Sequence, residues 1–333
     1  MHPEPPERER GAALLTVLLL VAVIAVLAGG ALEHLRLSTR LAGNAVAIEA
    51  ERAGARMAET LALARVDDLL GRDPSVVTLE GGWSGRPLPV PLPGGGTAVA
   101  RVSDGGNCFN LNGLVSPAGT GLYTSVPAQR DAFVRLMRLV GVDASASQGI
   151  AAAAVDWIDS DQDQQPGGAE DPYYLGLAQP YRTAGTLMAD PSELRSVSGV
   201  TADTYARLRP WLCALPVAAP AKLNVDTLAP EQAPLVAAQM AEGTGSEGVR
   251  QALLRRPPMG FASASAFWGS SSLAGASSGN AQAVTGVTTT WFRLDVTVVG
   301  AAGAGGPVVE QHGLIDATHL PARLVSRQWG EAS

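Results

Sequence analysis

The first apolar stretch of the chain lies close to its amino terminus and is long enough to cross a membrane. Residues 12–32 are apolar apart from Thr16, Gly29 and Gly30. At about 1.5 Å per residue, a helix of this length spans the hydrocarbon core of a bilayer. We therefore predict a transmembrane helix over residues 12–34.

A helical pattern continues beyond the membrane segment. No proline follows the apolar run until Pro74. Apolar residues recur there at spacings that predict one stripe of a helix: Leu35, Leu41, Val46, Ile48, Met57, Leu61, Val66 and Leu69. We expect one helix from the anchor to about Leu70, bent at Gly29 and Gly30 or at Gly43.

Alternating segments predict a small sheet that is split along the chain. Strand-like patterns occur early, at residues 75–79 and 97–103, and late, at residues 290–299, 307–315 and 323–327. The late segments alternate between apolar and mixed positions, as half-buried antiparallel strands do. A glycine-rich loop is predicted at Gly300 to Gly306.

The segment between the early and late strands is rich in alanine and leucine and predicts helices. The fold class is therefore α+β: a long amino-terminal helix packs on a small antiparallel sheet, and a large all-α domain interrupts the sheet region. The predicted ranges after the membrane helix are residues 35–104 for the first helix and strands, 105–261 for the helical insert, 262–289 for a flexible Ser, Gly and Ala-rich stretch, and 290–333 for the last strands.

One loop in the predicted insert carries a group of carboxylates. It contains Asp156, Asp159, Asp161, Asp163, Glu170 and Asp171. So many like charges repel one another unless a cation neutralises them, and calcium takes six to eight oxygen ligands. Glu170 is the twelfth residue counted from Asp159, but Gln164 and Pro166 depart from the EF-hand pattern.

We predict a structural calcium site in a different loop geometry. Asp159, Asp161, Glu170 and Asp171 are the first candidate ligands, with Asp163 and Asp156 behind them. The alternative is an acidic loop that faces solvent. Because such a wet loop would not raise a carboxyl pKa, and because no nucleophile, zinc-protease or P-loop motif occurs, we expect no enzymatic activity.

The charge balance disfavours nucleic acid as a partner. The chain has 24 basic and 31 acidic residues and a net charge of -7, which repels phosphate backbones. Residues 193–208 and 223–254 nevertheless look like helix-hairpin-helix units. A membrane-anchored DNA-binding protein of a competence or type IV pilus system is therefore the alternative function, although the hairpins offer only Gly199 and Lys222 for phosphate contacts.

The amino terminus resembles the type III signal of type IV pilins and pseudopilins. A polar leader, residues 1–11, ends in Gly11 directly before the apolar helix. An ordinary secretory signal is cleaved after its apolar stretch. The resemblance implies cleavage by a prepilin peptidase between Gly11 and Ala12, with methylation of the mature terminus. An uncleaved anchor with an incidental Gly11 is the alternative.

Thr16 stands at the fifth mature position, where the family usually has a glutamate. Lacking that glutamate marks the K-type tip subunit, the minor pseudopilin K of type II secretion systems. Further segments resemble that family: residues 108–114, 155–161, 168–175, 180–182 and 223–227. The K-type family carries a large all-α insert and binds calcium.

The resemblance implies a function in protein secretion. The chain would cap the periplasmic pseudopilus, held in the inner membrane by a single helix with its bulk in the periplasm. Its expected partners are the I-type and J-type minor pseudopilins, the major pseudopilin, the inner-membrane secretion platform and the prepilin peptidase. In an oxidising periplasm, Cys108 and Cys213 would form one disulfide; two buried free thiols are the alternative.

Overall fold

The computed structural model describes residues 7–93, 95–243, 245–300 and 308–330. Most of the glycine-rich loop predicted at Gly300 to Gly306 therefore lies outside the described residues. The α-helices described are, in chain order, α1 (Glu7–Arg72), α2 (Pro127–Leu139), α3 (Ala144–Ile158), α4 (Asp171–Leu175), α5 (Ala202–Leu208), α6 (Ala233–Ala237), α7 (Glu247–Leu254), α8 (Ala264–Trp268) and α9 (Ala281–Val284).

The strands described are β1 (Leu88–Pro91), β2 (Gly96–Asp104), β3 (Phe109–Asn110), β4 (Val115–Gly119), β5 (Leu122–Ser125), β6 (Leu212–Cys213), β7 (Leu223–Asn224), β8 (Thr285–Gly286), β9 (Trp291–Gly300), β10 (Val309–Asp316) and β11 (Arg323–Trp329). Five of them form one antiparallel sheet in the order β1-β2-β9-β10-β11. The other strands pair in twos, β3 with β6, β4 with β5 and β7 with β8. The predicted α+β fold with a split sheet is confirmed.

Helix α1 packs on the sheet through its smallest residues. Ala55, Ala58 and Ala62 are fully buried against the sheet. A Cβ atom at Gly54 would lie 2.7 Å from Leu92 Cδ2, so the backbones approach closely there. The helix runs without interruption in secondary structure across the glycines at which we expected a bend.

The predicted apolar stripe of α1 does not face the sheet. Of its eight residues only Val66 is buried. Ile48 and Leu69 are partly buried, and the other five are exposed: Leu35, Leu41, Val46, Met57 and Leu61. Small residues contact the sheet instead, because large side chains facing it would hold the helix too far from the strands. The stripe is consequently free to contact another molecule.

Two strand predictions are corrected. Residues 75–79 form a loop, in which Val77 N donates to Val287 O at 2.7 Å. The true first strand is β1, which the pattern missed because Pro89 and Pro91 interrupt it. Prolines are tolerated there because β1 lies at the edge of the sheet.

The insert has its own hydrophobic core. The largest fully buried side chains in this core include Tyr174, Phe133 and Phe267. Phe267, Leu273 and Ala281 belong to this core, so the prediction of a flexible stretch at residues 262–289 is wrong. Its serines and glycines cap and connect short helices, and the apolar residues between them hold those helices in the insert.

A buried polar network joins the insert to the sheet. Asp104, at the end of β2, accepts hydrogen bonds from the hydroxyl groups of Thr227 and Thr289 and from Gly106 N. Asn224 Nδ2 donates to Val77 O and to Thr289 Oγ1, both at 2.8 Å. Because these groups come from both parts of the chain and most of them are buried, hydrogen bonds as well as packing hold the insert against the sheet.

Candidate metal centre

The acidic loop joins the end of α3 to the start of α4. Helix α3 begins at a capped residue, since Asp143 accepts from Ser145 N and Ala146 N, and its last two turns are buried on all sides. Asp156, on the final turn of α3, is therefore buried in the core, and Asp159 follows at the carboxyl end of the helix. Glu170 precedes α4, where its side chain makes no capping bond.

Three of the predicted ligands come together. Asp159, Asp161 and Glu170 each offer a carboxylate oxygen, and these atoms all lie within 4.8 Å of one another. Asp159 and Glu170 are buried, at 1% and 2% exposure, whereas Asp161 is exposed. The site therefore has a buried base and a side that opens to solvent.

The buried oxygens of this group lack hydrogen-bond partners in the described chain. Both oxygens of Asp159, both of Glu170 and Oδ2 of Asp156 are unpaired. The remaining Asp156 oxygen accepts from Gln165 N at 3.0 Å. Burying an unpaired carboxylate oxygen is unfavourable, so these atoms need a cation or protons.

The raised pKa values of these carboxyls also indicate that their negative charge is unfavourable without a cation. Burial, followed by the charges of Asp161, Asp156 and Glu170, raises the pKa of Asp159 to about 8. Burial also raises the pKa of Glu170 to about 7 and that of Asp156 to about 6. Our expectation that the loop is too wet to raise a carboxyl pKa is wrong, because the helix end draws part of it into the core.

The structure gives the remaining two candidates other contacts. Asp171 forms an ion pair with Arg182 and accepts from Thr183 N at 3.0 Å and Thr183 Oγ1 at 3.1 Å. Asp163 is exposed, and its own backbone N–H donates to Asp161 Oδ1. Asp156 is a better candidate ligand than either of them, because it lies beside the cluster and its Oδ2 has no hydrogen-bond partner in the described chain.

A glycine that the sequence analysis did not single out shapes the site. A Cβ atom at Gly168 would lie 2.0 Å from Asp156 Oδ2 and 2.9 Å from its Cγ. No side chain fits there while Asp156 keeps its position. The residues that fit calcium, a hard cation that prefers oxygen ligands, are thus Asp159, Asp161 and Glu170, with Asp156 beside them.

An aromatic cluster connects this loop to the first hairpin-like unit. The ring centroids of Trp157 and Tyr174 are 5.4 Å apart, and those of Tyr174 and Tyr181 are 5.2 Å apart. Tyr174 is fully buried, and its hydroxyl accepts from Ser198 N at 3.1 Å. A cation that fixes the loop would therefore also steady this hairpin.

The hairpin-like units pack within the protein. A Cβ atom at Gly199 would lie 3.3 Å from Ile150 Cγ1, so the first hairpin touches the core of the insert. Lys222 Nζ donates to Ala283 O at 2.9 Å. Both residues on which the DNA-binding alternative depended are exposed, and each lies against another part of the protein.

A disulfide and two asparagines fasten the start of the insert. Cys108 and Cys213 are bonded, with their Cα atoms 5.7 Å apart. Nearby, Asn110 Nδ2 donates to Val217 O and Ala219 O. Asn112 Nδ2 donates to Met188 O and Leu215 O.

At the other end of the chain, the described part contains a helix apolar enough to cross a membrane, Leu14–Arg72, with a mean hydropathy of 2.8 in its most apolar window and no residue of that window buried. Gly11, Ala12 and Thr16 lie in α1, and Ala12 and Thr16 are exposed. The predicted leader begins in residues 1–6, which are outside the described chain.

Comparisons with known proteins agree along nearly the whole chain. Two models described as "Type II secretion system (T2SS), protein K" match residues 107–217 and 223–289. Type II secretion system protein K of Pectobacterium carotovorum subsp. carotovorum is 33% identical over 330 residues, which cover 97% of each chain. The protein of that name from Aeromonas hydrophila is 35% identical over 259 residues, 76% of this chain and 78% of the relative.

A solved structure is similar as well. A chain of the GspK-GspI-GspJ complex from the enterotoxigenic Escherichia coli type 2 secretion system superposes with a TM-score of 0.73 at 26% identity. The match covers 89% of this chain and 99% of that chain.

Proposed function

This chain belongs to the type II secretion system protein K family and is a minor pseudopilin of that system; on this premise we propose that it caps the tip of the periplasmic pseudopilus together with I-type and J-type minor pseudopilins. The observation that carries the proposal is the similarity to a chain solved in a GspK-GspI-GspJ complex, which includes both the pilin-like part and the insert. The DNA-binding alternative receives no support from any comparison.

The surface of α1 is suited to such an assembly. Beyond the membrane segment the helix leaves Leu41, Val46, Met57 and Leu61 exposed, while its small residues pack on the sheet. An exposed apolar stripe of this kind marks a protein interaction surface. Other pseudopilin helices, including that of the major pseudopilin, would cover it.

The bulk of the insert supports a position at the end of the filament. Residues 105–289 form a wide head at the membrane-distal end of α1, and a head of this size would obstruct regular stacking along a thin shaft. A glutamate at position 16 would need the amino terminus of a neighbouring subunit in the bilayer; the chain has Thr16. Labelling the protein in intact cells should give one signal per filament end, and labels repeated along the shaft would contradict the tip position.

Processing should precede assembly. We infer that a prepilin peptidase cuts between Gly11 and Ala12 and that the mature chain is held in the inner membrane, with its bulk in the periplasm and access to the secretion platform. Amino-terminal sequencing with and without the peptidase tests this, with Gly11→Val as the uncut control. A chain that is trimmed after the apolar helix, or never cut, would overturn it.

The role of the carboxylate loop would be structural. A calcium ion held by Asp159, Asp161 and Glu170, with Asp156 beside them, would supply positive charge that cancels their repulsion. The protein side chains would then hold the loop against α3 and the aromatic cluster. We infer a scaffold function for the whole chain and not catalysis, and loss of secretion without loss of any enzymatic step is the expected phenotype of a deletion.

A further inference from the structure

A preformed apolar pocket lies between α1 and the β1 edge of the sheet. Its floor and walls include Val66, Leu69, Trp83, Leu88 and Val102, and its volume is about 460 Å³. We call it the Trp83 pocket. Its volume falls within the range of small-ligand sites, about 300–1,000 Å³, and is ample for one large apolar side chain.

The loop that forms one wall of the pocket is fixed by hydrogen bonds. Trp83 Nε1 donates to Thr78 O at 2.7 Å, and Gly85 N donates to Val102 O at 2.8 Å. Gly81, Gly82 and Gly85 adopt positive φ values of 74°, 60° and 69°, which only glycine takes readily. A wall that is already ordered loses little entropy when a ligand binds.

The rim of the pocket is positively charged. Arg65 and Arg86 line it, and both are exposed. Arg65 lies 4.0 Å from the exposed Asp68, a weak surface pair. Arg86 makes no ion pair within the described residues. A ligand that places an apolar group on Trp83 and a carboxylate at the rim would satisfy both features.

The position of the pocket indicates what kind of molecule can reach it. About 33 residues of α1 separate Leu32 from Arg65, which corresponds to about 50 Å of helix beyond the membrane segment. A lipid of the anchoring bilayer is too far away. The head of another subunit standing beside α1 is at the right height.

We propose that the Trp83 pocket receives an apolar side chain from a partner minor pseudopilin, next to an acidic residue that pairs with Arg86 and Arg65. This inference rests on the proposed function and adds to it a specific contact. Side chains that fill a well-packed pocket of the partner carry much of the binding energy in protein interfaces.

Photocrosslinking in cells that assemble the whole secretion system tests the contact. A photoreactive residue at Arg86 of the full-length chain should link to a minor pseudopilin, at a segment that carries an apolar residue beside an acidic one. The same residue at Leu79, which is exposed but not part of the pocket, is the control. No product at Arg86, an equal product at Leu79, or a product with a secreted protein would overturn the proposal.

A binding measurement on the purified full-length chain and its minor pseudopilin partners tests the charge. Arg86→Glu should weaken the complex by tenfold or more, and exchanging the partner's acidic residue for lysine should restore it. Arg323→Glu, at an exposed position on the opposite edge of the sheet, should leave the affinity unchanged.

The outcomes separate the two proposals. Undiminished binding by Arg86→Glu would end the inference about the pocket while the proposed function stands. A parent chain that binds no minor pseudopilin would contradict both.

Discussion

Asp159 and Glu170 approach each other from opposite ends of one loop, and both carboxylates are buried without a single hydrogen bond in the described chain. Their separation along the chain is bridged by the glycines and the proline of the loop. An arrangement of this kind is unfavourable when empty and favourable when a cation binds. The predictions on the loop follow from this difference.

Adding calcium should stabilise the protein, and a chelator should reverse the effect. At a free calcium concentration one hundred times the dissociation constant, the expected gain is about 2.7 kcal/mol in the free energy of unfolding. Asp159→Asn should lose this gain, yet be at least as stable as the parent in chelator, because it removes a buried carboxyl that is unfavourable when ionised. Thermal unfolding with calcium and with chelator measures both.

Asp163→Asn is the matched control, since Asp163 belongs to the same loop but is exposed and outside the cluster. It should respond to calcium as the parent does. Equal unfolding temperatures with calcium and with chelator in the parent would refute the calcium site.

Replacing Gly168 should displace Asp156 and weaken the carboxylate site. In Gly168→Ala the new methyl group meets Asp156 Oδ2, and relieving such overpacking costs about 1–3 kcal/mol. The calcium response should weaken with it. Gly149→Ala, in α3, is the control. Its methyl group would lie 3.6 Å from Gly167 O, which is an ordinary contact, so stability should rise by about 0.5–1 kcal/mol. Urea unfolding of the two variants compares them directly.

The sequence predicted the acidity of this loop but not its burial. Carboxylate spacing is visible in a sequence, so Asp159, Asp161 and Glu170 could be proposed. Whether a loop carboxylate is wet depends on how α3 packs, and α3 ends with its last turn inside the core. The roles of Gly168 and of the unpaired Oδ2 of Asp156 could not be predicted, because they depend on the contact between these two residues in the folded chain.

The same limit applies to the fold. The alternation in β9, β10 and β11 is regular, and their strands were predicted to within a few residues. Strand β1 was missed because its two prolines are acceptable only at an edge, and edge position is a property of the assembled sheet. Helix α1 was predicted, but its sheet-facing side was not, because alanine and glycine give a weak hydrophobic signal and are chosen there for close approach.

Removing the disulfide should lower stability without unfolding the insert. Cys108 and Cys213 are 105 residues apart, and loss of a native disulfide typically costs about 2–5 kcal/mol. The side-chain bonds of Asn110 and Asn112 join the segments that follow Cys108 and Cys213 independently of the disulfide, so the double variant Cys108→Ser, Cys213→Ser should still fold. Its calcium response should match that of the parent. Failure to fold even at low temperature would show that the asparagines are insufficient.

Stability should fall with rising pH through the titration of Asp226. Burial raises the pKa of this carboxyl above 3.8, against the opposing effects of the Phe261 N–H and the Arg256 charge; Oδ2 has no hydrogen bond in the described chain. The folded state therefore holds its proton at pH values where the unfolded chain has lost it. This contribution is fully present below about 3.8 and is lost as pH rises through the folded pKa.

Asp226→Asn removes that titration while its amide oxygen can still accept from Phe261 N. The variant should show a smaller decrease in urea midpoint above pH 4 than the parent. Parallel pH profiles for the two proteins would rule out a raised pKa at Asp226.

The contact between α1 and the last strand should depend strongly on Glu59. This buried carboxylate accepts from Arg327 Nη2 at 2.7 Å, from Arg327 Nε at 3.0 Å and from Gln311 Nε2 at 2.7 Å. Glu59→Ala leaves the fully buried Gln311 amide unsatisfied, and a hydrogen bond to a charged group contributes about 1.5–3 kcal/mol. Because Arg327 is partly exposed and can turn to water, we expect a total loss of about 2–3 kcal/mol, reduced by solvent screening at the arginine.

Glu49→Ala supplies the comparison on the same helix. Glu49 pairs with Arg52 at 2.9 Å, but both side chains are exposed, and such pairs contribute at most about 0.5 kcal/mol. If both variants unfold at the same denaturant concentration as the parent, the small residues of α1 hold it on the sheet without help from the ion pair. A large loss for Glu59→Ala alone would mean that this one carboxylate fixes the position of the helix over β10 and β11, and with it the direction in which the exposed stripe of α1 meets the other subunits.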